Sequence, residues 1–405
     1  MFRHLHLAAL ALPLLTSSLW AQSTLKEAAA AAGLNFGIAT NSNQVRDASS
    51  AYATIAKTQF NMVVCENEMK FESTESPIGT FKYNGGDGVA TFAAANSMKL
   101  RGHNFIWHSQ STSAESKVTD RTSGLKIMRD HIEAVGTHFK EKVYEWDVLN
   151  ETYSGGTRSL WYKIGADYTD SALAISRRVL GTSGYLYSND YGADGVNSKS
   201  TAILGIAKKW LDNKVPLDGI GFQCHLGTGL RKDDISANIK RFGDLGLRVS
   251  LTEIDITNAK AADWTNIMNA CLENFNCVSF VTWGLADGNS WIGSNCGCLL
   301  YSGSGNSAAP KTEIINALID AMKKADPAIV AKRKAFAALP PGSLGPGAVG
   351  IFDLSQPAVR RGAKNLSGLA PMPIFSTPTG ALVDPLGRAK SVAPARIDGL
   401  QILSK

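Results

Sequence analysis

Residues 143–153 read VYEWDVLNETY, and the fold turns on how that stretch is taken. From Val143 to Leu149 the β-branched and aromatic content is that of a buried strand. The run then stops at Asn150 and Glu151 and gives way to small and polar residues. One account of Glu151 is an acid at a helix start, favoured there by the helix dipole. The other is a strand whose tip delivers a carboxylate to the mouth of a barrel.

Seven further runs of the same kind surround it: LNFGIAT, NMVVCENEMK, LRGHNFIWHSQ, GYLYSNDY, GIGFQCHL, LRVSLTEIDI and VSFVTWGLADGNSW. Between them lie stretches with helical apolar spacing, among them 45–60, 122–139, 170–180, 199–211, 235–245 and 262–272. Continuous apolar strands alternating with amphipathic helices imply a parallel sheet covered by helices. Eight such units in about 310 residues predict an α/β protein, a (β/α)8 TIM barrel. An open doubly wound sheet is the alternative, but no glycine-rich phosphate loop follows any of the runs.

The 405-residue chain carries a net charge of +6, unevenly spread. Residues 340–405 hold seven Lys/Arg and three Asp/Glu, whereas 22–339 hold 33 against 32. A nearly neutral body excludes the concentrated basic face of a nucleic-acid binder. Residues 1–21 read as a signal peptide, with Arg3, an apolar run from Leu5 to Leu15 and SSLWA ahead of Gln22. That run is too short to span a bilayer, so an exported, extracellular protein is expected. The catalytic body is assigned to 22–338. A linker follows at 339–350, marked by PPGSLGPG, and then a tail at 351–405. The tail is either without fixed role or a sorting or attachment segment that could hold the enzyme at the cell surface.

Export permits disulfides. Cys65 and Cys224 fall within strand-like runs and read as buried thiols. Cys271 and Cys277 flank LENFN and form the best candidate pair. Cys296 and Cys298 bridge each other or nothing. No metal is expected, because neither a CxxC pair nor a histidine spacing accompanies them.

In a parallel barrel all strand C-termini share one face, where active sites form. The tips supply Glu66, Asn67 and Lys70, then His103, Trp107, His108 and Gln110, then Asn150 and Glu151, then Asn189 and Asp190. Gln223 and His225, Glu253 and Asp255, and Trp283, Asp287 and Trp291 complete the rim. Glu151 and Glu253 stand out, each just past a buried run on the fourth and seventh strands. Paired carboxylates flanking a bond are what glycoside hydrolysis requires. Asn150 can donate to a sugar hydroxyl, and Asp255 can orient His225 toward Glu253. Trp107, Trp283 and Trp291 offer flat faces of the kind that stack on sugar rings. Taken singly, each has an ordinary account: a satisfied core histidine for His103 or His225, core packing for each tryptophan.

The strings ENEMKFE, RGHNFIWHSQ, WDVLNE, SNDY, GFQCHL, LTEIDI and VTWGLADGNSW, in this order, resemble glycoside hydrolase family 10, the endo-β-1,4-xylanases. The resemblance covers roughly residues 25–336. It implies a secreted, cofactor-free, retaining endo-β-1,4-xylanase that acts on xylan as a monomer. Glu151 would be the acid/base and Glu253 the nucleophile, with their carboxyl groups about 5–5.5 Å apart. Glu66, Asn67, Lys70, His103, Trp107, Gln110, Trp283 and Trp291 would line the glycone side. Asn150, Gln223 and His225 would surround the reacting ring, with Asp255 behind them. The resemblance also supports the Cys271–Cys277 bridge. Departures lie in rim loops: STSAE after RGHNFIWHSQ, NDYG at strand five, Ile292 after Trp291, and the cysteine-bearing SNCGCLLYSGSGN. A barrel acting on β-1,4-glucan and an inactive polysaccharide-binding protein are the rival functions.

Overall fold

The computed structural model describes residues 23–343, together with the backbone of a short antiparallel pair, Phe375–Ser376 with Leu382–Val383. The expected signal peptide at 1–21, most of the linker and the tail lie outside the described residues. Eight parallel strands form the barrel wall. They are β1 (Asn35–Thr40), β2 (Met62–Cys65), β3 (Lys99–Trp107), β4 (Glu145–Asn150), β5 (Tyr185–Asp190), β6 (Gly219–Phe222), β7 (Arg248–Ile256) and β8 (Cys277–Thr282). Each pairs with the next, and β8 returns to β1 with Asn35 opposite Ser279, so the sheet closes. The barrel expected from the strand–helix alternation is present.

Helices follow the strands at or near the expected positions, as in Arg121–Phe139, Tyr168–Leu180, Ser198–Asp212 and Ala261–Leu272. The span expected to be helical over 45–60 is different. A single turn, Ser42–Val45, precedes a separate helix, Ala51–Gln59. The break has a local cause. Ser50 caps the second helix by accepting the Ala53 amide, and Asp47 takes the Ser49 amide at 2.9 Å in an Asx-type turn. Capping chemistry overrides the apolar spacing there.

Alternation along β4 sorts its side chains. Trp146 is fully buried and stacks on Phe105 at 4.0 Å, within the apolar layer beneath the helices. Glu145 and Asp147 occupy the lumen. Glu145 accepts from Ser279 on β8 and from Arg101 at 2.5 Å, and Arg101 also grips Asp147. The lumen is therefore partly ionic, which the apolar look of the runs did not foretell. Such buried charges are tolerable because they are paired and hydrogen-bonded. The Arg101 charge overcomes burial and holds the Asp147 carboxyl below its ordinary range.

Closure is reinforced by Arg333 from the last described helix, Pro327–Ala337. Fully buried, it donates to the carbonyls of Ala32, Cys271, Leu272, Asn274 and Cys277. The Cys271–Cys277 bridge joins the C-terminal end of the helix Ala261–Leu272 to β8, as expected. Cys296 and Cys298 also bridge each other. Their sulfurs lie near Asp287, but as a disulfide they offer no thiolate to a metal. Cys65 and Cys224 are buried thiols. Beyond the barrel, the chain stays docked past Leu339: Tyr185 Oη donates to the Leu339 carbonyl at 2.6 Å, and the Gly342 amide donates to Asp218 at 2.7 Å. The first residues of the expected linker are thus held against the barrel.

Candidate active site

The strand tips are knitted beyond the regular ladder. The Glu151 amide donates to the Asn189 carbonyl at 2.7 Å, Gln223 to Asp190 at 3.1 Å, and Glu253 to Gln223 at 2.9 Å. Four residues on this rim take left-handed backbone: Gln110, Glu151, Cys224 and Asn258, with φ of 46°, 54°, 63° and 55°. Non-glycine residues rarely adopt it, and such conformations cluster where function fixes side-chain direction. Glu151 sits in one such kink between β4 and a single turn, Thr152–Gly155. It is therefore neither an ordinary strand residue nor an ordinary helix cap.

Hydrogen bonds join the two glutamates. Trp107 Nε1 donates to Glu151 Oε2 at 2.9 Å and Gln223 Nε2 donates to Glu151 Oε1 at 3.0 Å. Gln223 also reaches Asn150 Oδ1, at 3.4 Å. Asn189 Nδ2 donates both to that Asn150 oxygen at 2.9 Å and to Glu253 Oε1 at 2.7 Å. On its other side Glu253 Oε2 meets His225 Nε2 at 3.3 Å, and His225 Nδ1 meets Asp255 Oδ2 at 2.9 Å. Trp291 Nε1 donates to that same Asp255 oxygen at 2.9 Å.

The charges follow. Burial would favour neutral His225, but the hydrogen bonds and charges of Asp255 and Glu253 win and push it up to about 10. It is an imidazolium at neutral pH. For Glu253, burial favours the acid, but the His225 hydrogen bond and the His103 and His225 charges outweigh it and hold the carboxyl below its ordinary value. Glu253 is ionised and 5% exposed. Burial pushes the Glu66 carboxyl up and the Lys70 ammonium down, although Lys70 is surrounded by Glu253, Glu66 and Glu151.

The structure brings the residues singled out in the sequence to one rim. Lys70 donates to Asn67 at 2.9 Å and lies 5.0 Å over the Trp107 ring. Trp107 thus presents a ring already covered on one side by a cation and an indole N–H committed to Glu151. His103 Nδ1 meets Asp147 at 3.0 Å, and its ring stands edge-on to Trp283 at 5.2 Å. Trp291 is 60% exposed, the most exposed large apolar residue described. Gln110 is fixed by its backbone, its carbonyl accepting the Glu72 amide at 3.0 Å. His131 is a packing residue, buried against Glu75 and stacked on Phe71.

Two partners escaped the sequence reading. Asn189 was visible at a strand tip in SNDY, but nothing there signalled that it would touch Glu253. Thr252 Oγ1 donates to Asn189 Oδ1 at 2.7 Å, which fixes the amide so that its nitrogen faces Glu253. Gly221 on the neighbouring β6 makes room, because a Cβ there would overlap that same Asn189 oxygen.

A closed (β/α)8 barrel with two carboxylates gripped differently across its strand tips defines a glycoside hydrolase type of site. Comparison with known proteins agrees. The sequence model of glycosyl hydrolase family 10 matches residues 24–317, and this chain belongs to that family. Among curated relatives, endo-1,4-beta-xylanase C of Phanerodontia chrysosporium is 34% identical over 283 residues, covering 65% of this chain and 70% of its own. An endo-1,4-beta-xylanase of Agaricus bisporus is 32% identical over 272 residues, covering 64% and 81%. Among solved structures, native xylanase 10B from Thermotoga maritima superposes with a TM-score of 0.69 at 29% identity, over 74% of this chain and 98% of its own. A glycosylated endo-beta-1,4-xylanase from Gloeophyllum trabeum gives 0.66 at 34% identity, over 74% and 98%.

Proposed function

We propose that this chain is a secreted endo-β-1,4-xylanase that cleaves internal bonds of xylan with retention, through a covalent glycosyl-enzyme. The observation that carries the assignment of roles is the asymmetry of the two glutamates. Glu253 is buried, ionised and held by a cation and an amide, as befits a nucleophile. Glu151 is more open, its side chain 15% exposed, and it is held by two neutral donors, Trp107 on one oxygen and Gln223 on the other, as befits the group that faces the departing oxygen and the incoming water.

In the first step Glu253 attacks the anomeric carbon as the glycosidic bond breaks, and Glu151 gives its proton to the departing oxygen. Esterification removes the charge on Glu253, so an ionised Glu151 no longer faces a second carboxylate. Glu151 then takes a proton from the incoming water, the water oxygen bonds to the anomeric carbon, and Glu253 departs as carboxylate. Asn150, whose Oδ1 is occupied by Asn189 and Gln223, has its amide hydrogens left for a sugar hydroxyl. Glu66, Asn67, Lys70, His103, Gln110, Trp283 and Trp291 line the glycone side. A neutral polymer substrate fits the near-balanced charge of the body.

Residues 1–21 serve as the export signal, and 351–405 are a tail that either has no fixed role or serves sorting or surface attachment. No helix among the described residues is long and apolar enough to cross a membrane. The test is twofold. Products released from xylan, cellulose and mannan identify the substrate. Glu253→Ala should lower hydrolysis of an aryl β-xylobioside by about 10⁴-fold or more, and azide should restore turnover with an inverted product. Ordinary activity in that variant would overturn the assignment.

A further inference from the structure

On the arc of the rim away from β8, β2 and β3, two exposed tyrosines flank the site, Tyr153 after β4 and Tyr191 after β5, at 44% and 45% exposure. Between them rises Lys199, from the first turn of the helix Ser198–Asp212. Its Nζ lies 3.8 Å from the Tyr191 ring centroid and 5.9 Å from that of Tyr153. It is also tied to both loops beneath, 2.6 Å from Ser154 Oγ and 2.8 Å from Asp190 Oδ1. Asp190 in turn accepts from the Tyr153 amide at 3.1 Å, Ser154 Oγ at 2.8 Å and the Tyr191 amide at 3.0 Å. One ammonium and one carboxylate, 18% and 7% exposed, thus bind the β4 and β5 loops into a single wall.

We infer that Lys199 is a positioning residue for the leaving-group side of the cleft. It sets the spacing and tilt of Tyr153 and Tyr191 against the sugar unit that departs when the bond is cut. This rests on the reading proposed above. If the glycone occupies the arc of β8, β2 and β3, the chain must continue past Glu151, the proton donor to the departing oxygen, toward β4 and β5. A neutral pyranose unit meets the faces of Tyr153 and Tyr191 there, and the ammonium between them is neutralised by Asp190. A cation over a ring adds attraction without requiring a charged ligand. Binding energy from a remote sugar is useful only if its wall is rigid, since small misplacements squander it.

The test compares two substrates. Xylohexaose must lay sugars across this wall, whereas an aryl β-xylobioside places only its aryl group there. Lys199→Met keeps the stem and removes the charge. It is expected to lower kcat/KM on xylohexaose roughly tenfold, with a raised KM, and to leave the aryl β-xylobioside within about twofold. Lys199→Arg should recover most of the loss. Equal losses on both substrates would make Lys199 a general brace and overturn the inference, as would an unchanged xylohexaose value. Ser154→Ala removes one anchor and should give a smaller loss confined to xylohexaose; should Lys199→Met not fold, this variant decides by the same comparison. A wild-type chain inactive on the aryl β-xylobioside would instead refute the xylanase reading itself.

Discussion

His225 stands between two carboxylates, its Nε2 3.3 Å from Glu253 and its Nδ1 2.9 Å from Asp255. The imidazolium, with His103, holds a buried Glu253 charged, and Asp255 and Glu253 together hold the imidazole as an imidazolium.

A pH dependence follows. The folded value of His225, about 10, lies above its ordinary 6.5. Its contribution to stability is therefore complete below about 6.5 and is lost as pH rises through about 10. The wild type should lose stability over that window relative to His225→Gln. Urea midpoints measured from pH 6 to 10.5 check it, and parallel slopes for the two proteins would contradict it.

Asn189 should behave as part of the machinery. Asn189→Ala removes the 2.7 Å bond to Glu253 and the 2.9 Å bond to Asn150 together. A hydrogen bond to a charged group contributes about 1.5–3 kcal/mol, which corresponds to a loss of roughly 10- to 100-fold in kcat/KM. Steady-state rates on an aryl β-xylobioside, with circular dichroism to confirm folding, give the answer.

Gly221 offers a subtler handle. Gly221→Ala adds one methyl that touches neither glutamate directly, yet it displaces the Asn189 oxygen that Thr252 holds. The expected result is a folded protein whose kcat falls at least about fivefold while KM barely moves. A silent Gly221→Ala would show that Asn189 has slack.

Arg333 should matter for stability rather than rate. Arg333→Met removes the guanidinium from five carbonyls; those of Cys271 and Asn274 keep backbone donors, while those of Ala32, Leu272 and Cys277 lose a buried one. At about 1–3 kcal/mol for each group left unsatisfied, a loss of at least about 3 kcal/mol is expected. Denaturant unfolding measures it, and specific activity at low temperature should hold.

Much of this was legible in the chain. The strand runs and their polar tips were readable because a parallel barrel forces both faces of a strand to be buried and all C-termini onto one rim. Glu151 and Glu253 were visible for that reason. The ionic lumen of Arg101, Glu145 and Asp147 was not, since single charges inside apolar runs look like noise until the closed barrel brings β3, β4 and β8 together. The left-handed kink at Glu151 has no signature in ETYSGG that separates it from a plain turn. Asn189 and Gly221 act only as a pair across two strands, a relation that no reading along one strand supplies.

The docking of Gly342 on Asp218, which directly precedes β6, and of Leu339 on Tyr185, the first residue of β5, fixes where the described body ends. Both anchors lie at the strand beginnings, on the floor of the barrel, and the cleft opens from its roof. Anything attached after Ser343 therefore pulls from beneath. An enzyme immobilised through that point would present its open cleft outward to an insoluble polymer, whereas one held by the Trp291 or Tyr191 loops would be muzzled by its own support.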